Sequence, residues 1–206
     1  MMHRMGVERD DLAAVIGARI RAGRHALKWT LDEVAAQSGV SRRMIVTVEK
    51  GEANPSVATL LLLSDALGIG LPTLVAARDG VPAALTRRGD GAELWSSPSG
   101  GSGILLAGTP SPDVLELWQW TLAPGDTHES TPHVAGTREI LHVGRGVVNL
   151  TAGPDEVNLS PGDTLAFDGD QAHAYANTSN STAEFTLAVF EPGVGTSSPR
   201  PSHQTT

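Results

Sequence analysis

The spacing of apolar residues changes once along this chain, near Gly80, and that change limits what it can fold into more than any other feature. From Asp11 to about Ala77 apolar residues recur at helical spacing, with Leu12, Val15, Ile16, Ile20 and Leu27 on one stripe and few glycines inside the segments. Beyond Gly80, short apolar stretches are broken by turn formers, PSGGSG, GTPSPD, APGD, AGPD and SPGD, at the roughly 8 to 12 residue spacing of an antiparallel sandwich or barrel. The sequence therefore predicts an α+β multidomain chain: an all-α domain over residues 11–77, a linker over 78–91, an all-β barrel over 92–192 and a disordered tail over 193–206. SSPSGGSG reads as a hairpin loop within the barrel. At 206 residues, each of the two domains is large enough to bury its own core.

Composition excludes several classes of function. There is no cysteine, so disulfides, thiolate metal sites and cysteine nucleophiles are absent, which suits a reducing compartment. No apolar run approaches the roughly 20 residues needed to span a bilayer, and MMHRMGVERDDL lacks the apolar core of a secretory signal. A cytoplasmic protein without membrane association is expected. The net charge of −8 is unevenly placed: residues 1–80 carry +1 and residues 81–206 carry −9. Such asymmetry fits a nucleic-acid-reading head that holds an acidic body away from phosphates.

Within the helical half, Thr30 precedes LDEVAAQSG with Glu33 three residues on, the arrangement of a capping box. Gly39 supplies a residue able to take positive φ, and Ser41 is a second N-cap opening SRRMIVTVEKG. Two helices joined by so short a turn meet at a steep angle, with Ala35, Val40, Ile45 and Val48 placed to pack between them. Gly51 ends the second helix, Asn54 and Pro55 restart the chain, and SVATLLLLSDALGI and LPTLVAA supply two closing helices, for a bundle of five.

The segment TLDEVAAQSGVSRRMIVTVEKGEANPSVATLLLLSDALGI closely resembles the XRE family of phage-repressor-like (lambda-repressor-like) helix-turn-helix proteins, over about 65 residues. The resemblance implies a transcriptional regulator, with repression the expected sense, bound as a homodimer to a near-palindromic double-stranded DNA operator. Ser41 to Lys50 would then be the recognition helix, with Arg42, Arg43 and Thr47 facing base edges. Thr30 and Ser41 would touch phosphate, and Lys50 completes the DNA-binding set. Two arginines there favour guanine. Leu31 stands where some members place a base-reading glutamine, so only apolar contact is available at that point. Arg24 and Glu49 match the family's buried ion pair between the first and third helices.

In the second half, LELWQWTLAPGD alternates into a strand, TREILHVGRGVVNL into a hairpin turning at Gly144 to Gly146, and SPGDTLAFDGDQAHAYAN and AEFTLAVFEP close the set. These stretches resemble the cupin fold, a jelly-roll barrel. Gly125, His133, Glu139 and Gly146 match its first motif, and Gly162, His173 and Asn177 its second. The resemblance implies a barrel that senses a small-molecule effector and a candidate divalent-metal set of His133, Glu139 and His173, two imidazoles and a carboxylate. The site is degenerate: Thr131 occupies the first histidine position, five residues rather than three or four separate His133 from Glu139, and His128 is the candidate substitute. Two readings stay open, a metal centre and an apolar pocket in which His173 caps a turn through a backbone carbonyl. The same layout also resembles a mononuclear non-haem iron epoxidase, in which the three residues would hold the iron. His142 lies an odd number of residues from Glu139 and points to the opposite face. Trp118 and Trp120 share a face, Phe167 and Tyr175 alternate with His173 near the barrel mouth, Phe185 and Phe190 read as core, and Asp168 and Asp170 as solvated turn residues.

Overall fold

A computed structural model describes residues 4–76 and 84–196, with side chains from residue 12 onward in the first helix. The last residue of the expected helical domain (77), part of the expected linker (78–83) and most of the expected tail (197–206) lie outside the described residues.

Among the described residues five helices come first: α1 (Arg4–Ala26), α2 (Leu31–Ser38), α3 (Arg42–Glu49), α4 (Val57–Leu67) and α5 (Leu71–Val75). Their ends follow local chemistry. The Thr30 backbone N–H donates to Glu33 Oε2 at 2.6 Å while the Glu33 N–H donates to Thr30 Oγ1 at 3.2 Å, closing the capping box. Gly39 takes φ 72° in the turn between α2 and α3, and Ser41 Oγ accepts from the Met44 N–H. Ile16, Ile20, Val34, Val40, Ile45, Val48, Leu60, Leu63, Leu71 and Leu74 form the core of this domain. Two residues of the expected stripe are instead exposed. Val15 lies about 100° around the helix from Ile16, and Leu27 falls past the end of α1.

Ten strands follow, β1 (Ala92–Ser96), β2 (Ser102–Gly108), β3 (Val114–Leu122), β4 (Thr127–Ser130), β5 (Arg138–Arg145), β6 (Val148–Ala152), β7 (Asp155–Leu159), β8 (Thr164–Asp168), β9 (His173–Ala176) and β10 (Ala183–Glu191). They pair antiparallel in two sheets, β1-β2-β3-β10-β5-β8 and β4-β9-β6-β7, the two faces of a jelly roll. The loop after β1 closes a hairpin, with the Ser97 N–H donating to Gly101 O. TREILHVGRGVVNL is not a hairpin: β5 lies between β10 and β8, whereas β6 lies between β9 and β7 in the other sheet. Its glycine turn is a corner between sheets. Gly146, at φ 70°, packs so tightly on Thr182 and Ala183 that a Cβ has no room.

Strict alternation fixes the inner face of each long strand. Val114, Glu116, Trp118, Trp120 and Leu122 point inward from β3, and Phe185, Leu187, Val189 and Glu191 from β10. Phe190, expected in the core, is 41% exposed, because its five-residue separation from Phe185 puts it on the other face. Residues 193–196, expected to belong to a disordered tail, form a docked turn in which Val194 is buried and its N–H donates to Pro112 O at 2.7 Å. That turn and the loop before β3 carry the helical domain: Ser111 Oγ donates to Gly68 O at 2.7 Å, and the Gly195 N–H to Asp65 Oδ1 at 3.3 Å.

Candidate functional site

Two surfaces carry polar chemistry, one in each domain. In the helical domain, Ile45 and Val48 pin α3 to the core, which leaves Arg42, Arg43, Met44 and Lys50 facing solvent. Thr47 is half-buried and its hydroxyl donates to Arg43 O at 2.8 Å, while Thr30 and Ser41 sit exposed at the N-termini of α2 and α3. Arg42 Nε lies 3.1 Å from Asp32 Oδ1, an ion pair within the helical domain whose members are 59% and 79% exposed. An exposed pair of this kind is worth about 0–1 kcal/mol and yields to a phosphate or a base edge. Lys50 is 3.9 Å from Glu52. Behind α3, Arg24 grips Glu49 with Nε–Oε1 at 2.6 Å and Nη2–Oε2 at 2.8 Å, and its Nη1 also donates to Trp29 O. This fork ties α1 to the end of α3 and sets its orientation.

In the barrel, His133, Glu139 and His173 converge. Each offers a ligand atom, and these atoms lie within 4.8 Å of one another. Glu139 comes from β5 and His173 from β9; His133 comes from the loop between β4 and β5 and is tied by its N–H to Gly169 O at 3.1 Å. The Nε2 atoms of both histidines lie 3.3 Å from the same atom, Glu139 Oε1. That oxygen is buried and has no hydrogen-bond partner, while Oε2 accepts from the buried Tyr175 hydroxyl at 2.5 Å. His173 Nδ1 is 2.9 Å from Gln171 O. A carbonyl carries no proton, so Nδ1–H is the donor, and in the neutral ring Nε2 is the nitrogen that bears the lone pair. His173 therefore bonds a turn carbonyl through one nitrogen and faces Glu139 Oε1 with the other. An orphaned carboxylate oxygen faced by two imidazole nitrogens fits a divalent transition metal held by two histidines and one carboxylate.

Other residues sort around this centre. His128 is not in the group of three; its ring centroid lies 4.6 Å from that of Trp120 and 5.4 Å from that of Trp95. Burial, followed by the neighbouring His173 and His133, pushes its pKa down to about 4, so it is neutral at neutral pH. Thr131 is exposed in the loop. His142 points outward and meets Thr164 Oγ1. Trp118 and Trp120 face inward, Asp168 pairs with Arg138 at 3.3 Å, and Asp170 accepts from the Gly136 N–H.

Two acidic residues absent from the expected site lie beside it. Glu191 Oε1 is 3.1 Å from His133 Nδ1. Glu116 is buried; Trp118 Nε1 donates to its Oε2 at 2.8 Å and its Oε1 has no partner. Burial, reinforced by the charge of Glu191, raises the Glu116 pKa to about 8. Burial opposes charging His133, but the bond to Glu191 and the charge of Glu139 outweigh it and raise its pKa. A sequence signal for both acids existed: each stands in phase with the inward-facing apolar residues of its strand. His133 and Glu191 also line a cleft of about 90 Å³ whose opposite wall is Ala58, Leu61, Leu62 and Asp65 of α4.

Comparison with known proteins agrees with this division. Residues 20–74 match the helix-turn-helix family model and residues 118–190 the cupin domain model. The HTH-type transcriptional regulator SutR of Escherichia coli (strain K12) is 24% identical over 185 residues, 89% of this chain and 98% of its own. The uncharacterized HTH-type transcriptional regulator y4dJ of Sinorhizobium fredii is 35% identical over 72 residues, 35% of this chain and 94% of its own. Among solved structures, an HTH_3 family transcriptional regulator from Vibrio cholerae superposes with a TM-score of 0.68 at 24% identity, covering 89% of this chain and 99% of that one. The curated relatives are regulators, and the iron-epoxidase alternative gives way to them. The chain belongs to the XRE-type helix-turn-helix transcriptional regulators that carry a cupin domain.

Proposed function

We propose that this regulator acts in the cytoplasm as a homodimeric repressor, binding a double-stranded operator through α3, with its barrel taking a divalent metal and a small-molecule effector that together alter operator affinity. The observation that carries the reading is the presentation of α3: Arg42 and Arg43 are exposed on a helix whose opposite face is locked into the core. Arg42, Arg43 and Thr47 read base edges, and Thr30, Ser41 and Lys50 hold phosphates. Each arginine that grips guanine contributes about 1–3 kcal/mol of discrimination. On a duplex selected by the wild-type chain, Arg42→Ala and Arg43→Ala each weaken binding by roughly 10- to 100-fold and relax specificity at one position, as anisotropy titration at fixed salt would read. Unchanged operator affinity in both variants refutes the assignment.

The dimer reading rests on the outer face of the larger sheet, where Leu115, Leu117, Ile140 and Phe190 are 41–51% exposed. They are contiguous, because β10 pairs Phe190 with Leu115 and places Ala188 between Leu117 and Ile140. An apolar patch of this kind marks an interface, and a second copy of the chain covers it, placing two α3 helices on half-sites about 34 Å apart. Sedimentation velocity tests this: Ile140→Asp is monomeric where wild type is dimeric, and a variant that stays dimeric places the interface elsewhere.

A further inference from the structure

The three residues of the barrel centre are not held alike. Glu139 and His173 stand on β5 and β9, whose ladders fix their backbones. His133 comes from a loop, and a loop residue needs another restraint if its ring is to meet a metal in fixed geometry. The ring is restrained from both sides: Nε2 faces Glu139 Oε1 at 3.3 Å and Ser130 Oγ at 3.2 Å, and Nδ1 faces Glu191 Oε1 at 3.1 Å. His173 shows the same division of labour, its Nδ1 on the Gln171 carbonyl and its Nε2 on Glu139. Each imidazole thus turns Nε2 toward one point and spends Nδ1 on an oxygen acceptor behind it. The acceptor behind a metal-bound histidine fixes its tautomer and ring plane.

Glu191 is also the last residue of β10, and the chain beyond it is the turn that docks on the helical domain. In that turn Val194 is buried, the Gly195 N–H donates to Asp65 Oδ1, and Gly195 approaches Gly68 so closely that neither tolerates a Cβ without displacement. Glu191 and His133 form one side of the cleft whose other side is α4. In turn, α4 packs on α2, the first helix of the reading pair.

We propose that Glu191 is a positioning residue that orients His133 as a metal ligand and carries the state of the centre to α4 through the turn that follows it. The inference rests on the metal reading of the barrel given above. Metal binding draws Nε2 of His133 toward the ion, Glu191 holds Nδ1, and the strand end that bears Glu191 moves with the pair. Because that strand end runs directly into the turn bonded to Asp65, the displacement reaches the reading domain without crossing the barrel.

Calorimetric titration of Mn²⁺ into metal-free protein, paired with operator titration with and without Mn²⁺, tests both halves on wild type, Glu191→Ala, Glu191→Gln and Asp65→Ala. Glu191→Ala loses roughly 10- to 100-fold in Mn²⁺ affinity, and Glu191→Gln, whose amide oxygen still accepts from Nδ1–H, recovers part of it. Asp65→Ala binds Mn²⁺ as wild type does, but its operator affinity no longer responds to the ion. Wild-type Mn²⁺ affinity in Glu191→Ala overturns the orienting role. A wild-type response to Mn²⁺ in Asp65→Ala, or none in wild type itself, overturns the route to α4. A wild-type chain that takes up no Mn²⁺, Zn²⁺ or Fe²⁺ overturns the metal reading, and this inference with it, while leaving DNA recognition standing.

Discussion

In the helical domain the buried charge is a closed pair, Arg24 against Glu49, with both oxygens and three guanidinium nitrogens engaged. In the barrel, three buried carboxylates, Glu116, Glu139 and Glu191, crowd around two histidines, and two of the three have an oxygen with no partner. The helical half satisfies its buried charge and leaves Arg42, Arg43 and Lys50 facing outward at α3. The barrel leaves carboxyl oxygens without hydrogen-bond partners in its interior, an arrangement that favours a cation brought from outside. The contrast separates a part that presents a finished surface from a part whose interior still has acceptors to offer.

The contrast breaks first if the head's pair proves dispensable. Arg24→Ala leaves Glu49, with a side chain 4% exposed, buried without its fork. Removing one partner of a buried pair costs about 3–5 kcal/mol. Arg21, whose Nε lies 3.6 Å from Glu49 Oε2, takes up part of the loss and places the expected value at the lower end. Urea unfolding checks it, and operator affinity falls with stability because the fork orients α3. A loss below about 1 kcal/mol would mean that the pair is no more than a surface contact.

The two halves also differed in how much their sequence disclosed. Helix ends in the head are set by groups within four residues of one another, such as Thr30 with Glu33, Ser41 with Met44 and Gly39 at positive φ, so they were legible without knowing the fold. Sheet order was not. That β5 and β6 part company at Gly146, one to each sheet, depends on pairings with β10 and β9 that lie 21 to 52 residues further on, and local alternation cannot specify a partner. The centre was half legible. His133, Glu139 and His173 were found by motif spacing, and the structure brings them together despite the lengthened loop. Glu116 and Glu191 belong to no motif, and only strand parity marks them. Phe190 fails by the same parity, since hydrophobicity alone assigned it to the core.

The smaller effect sharpens the comparison from the barrel side. Glu116 titrates with a pKa of about 8 in the folded chain against 4.5 when unfolded. Between those values the folded state binds a proton that the unfolded state has released, so the contribution is complete below pH 4.5 and is lost as pH rises through 8. Glu116→Gln keeps an acceptor for Trp118 Nε1 and has no proton to lose. The metal-free variant therefore matches wild type in thermal stability at pH 5 and exceeds it at pH 9, by on the order of 1–4 kcal/mol, the range in which neutral groups outperform buried ions. Divalent metal narrows the difference, because the added positive charge offsets the Glu116 carboxylate as well. A variant less stable than wild type at pH 9, with or without metal, would mean that the barrel balances its own charge as the helical domain does, and the distinction between the two halves would fail.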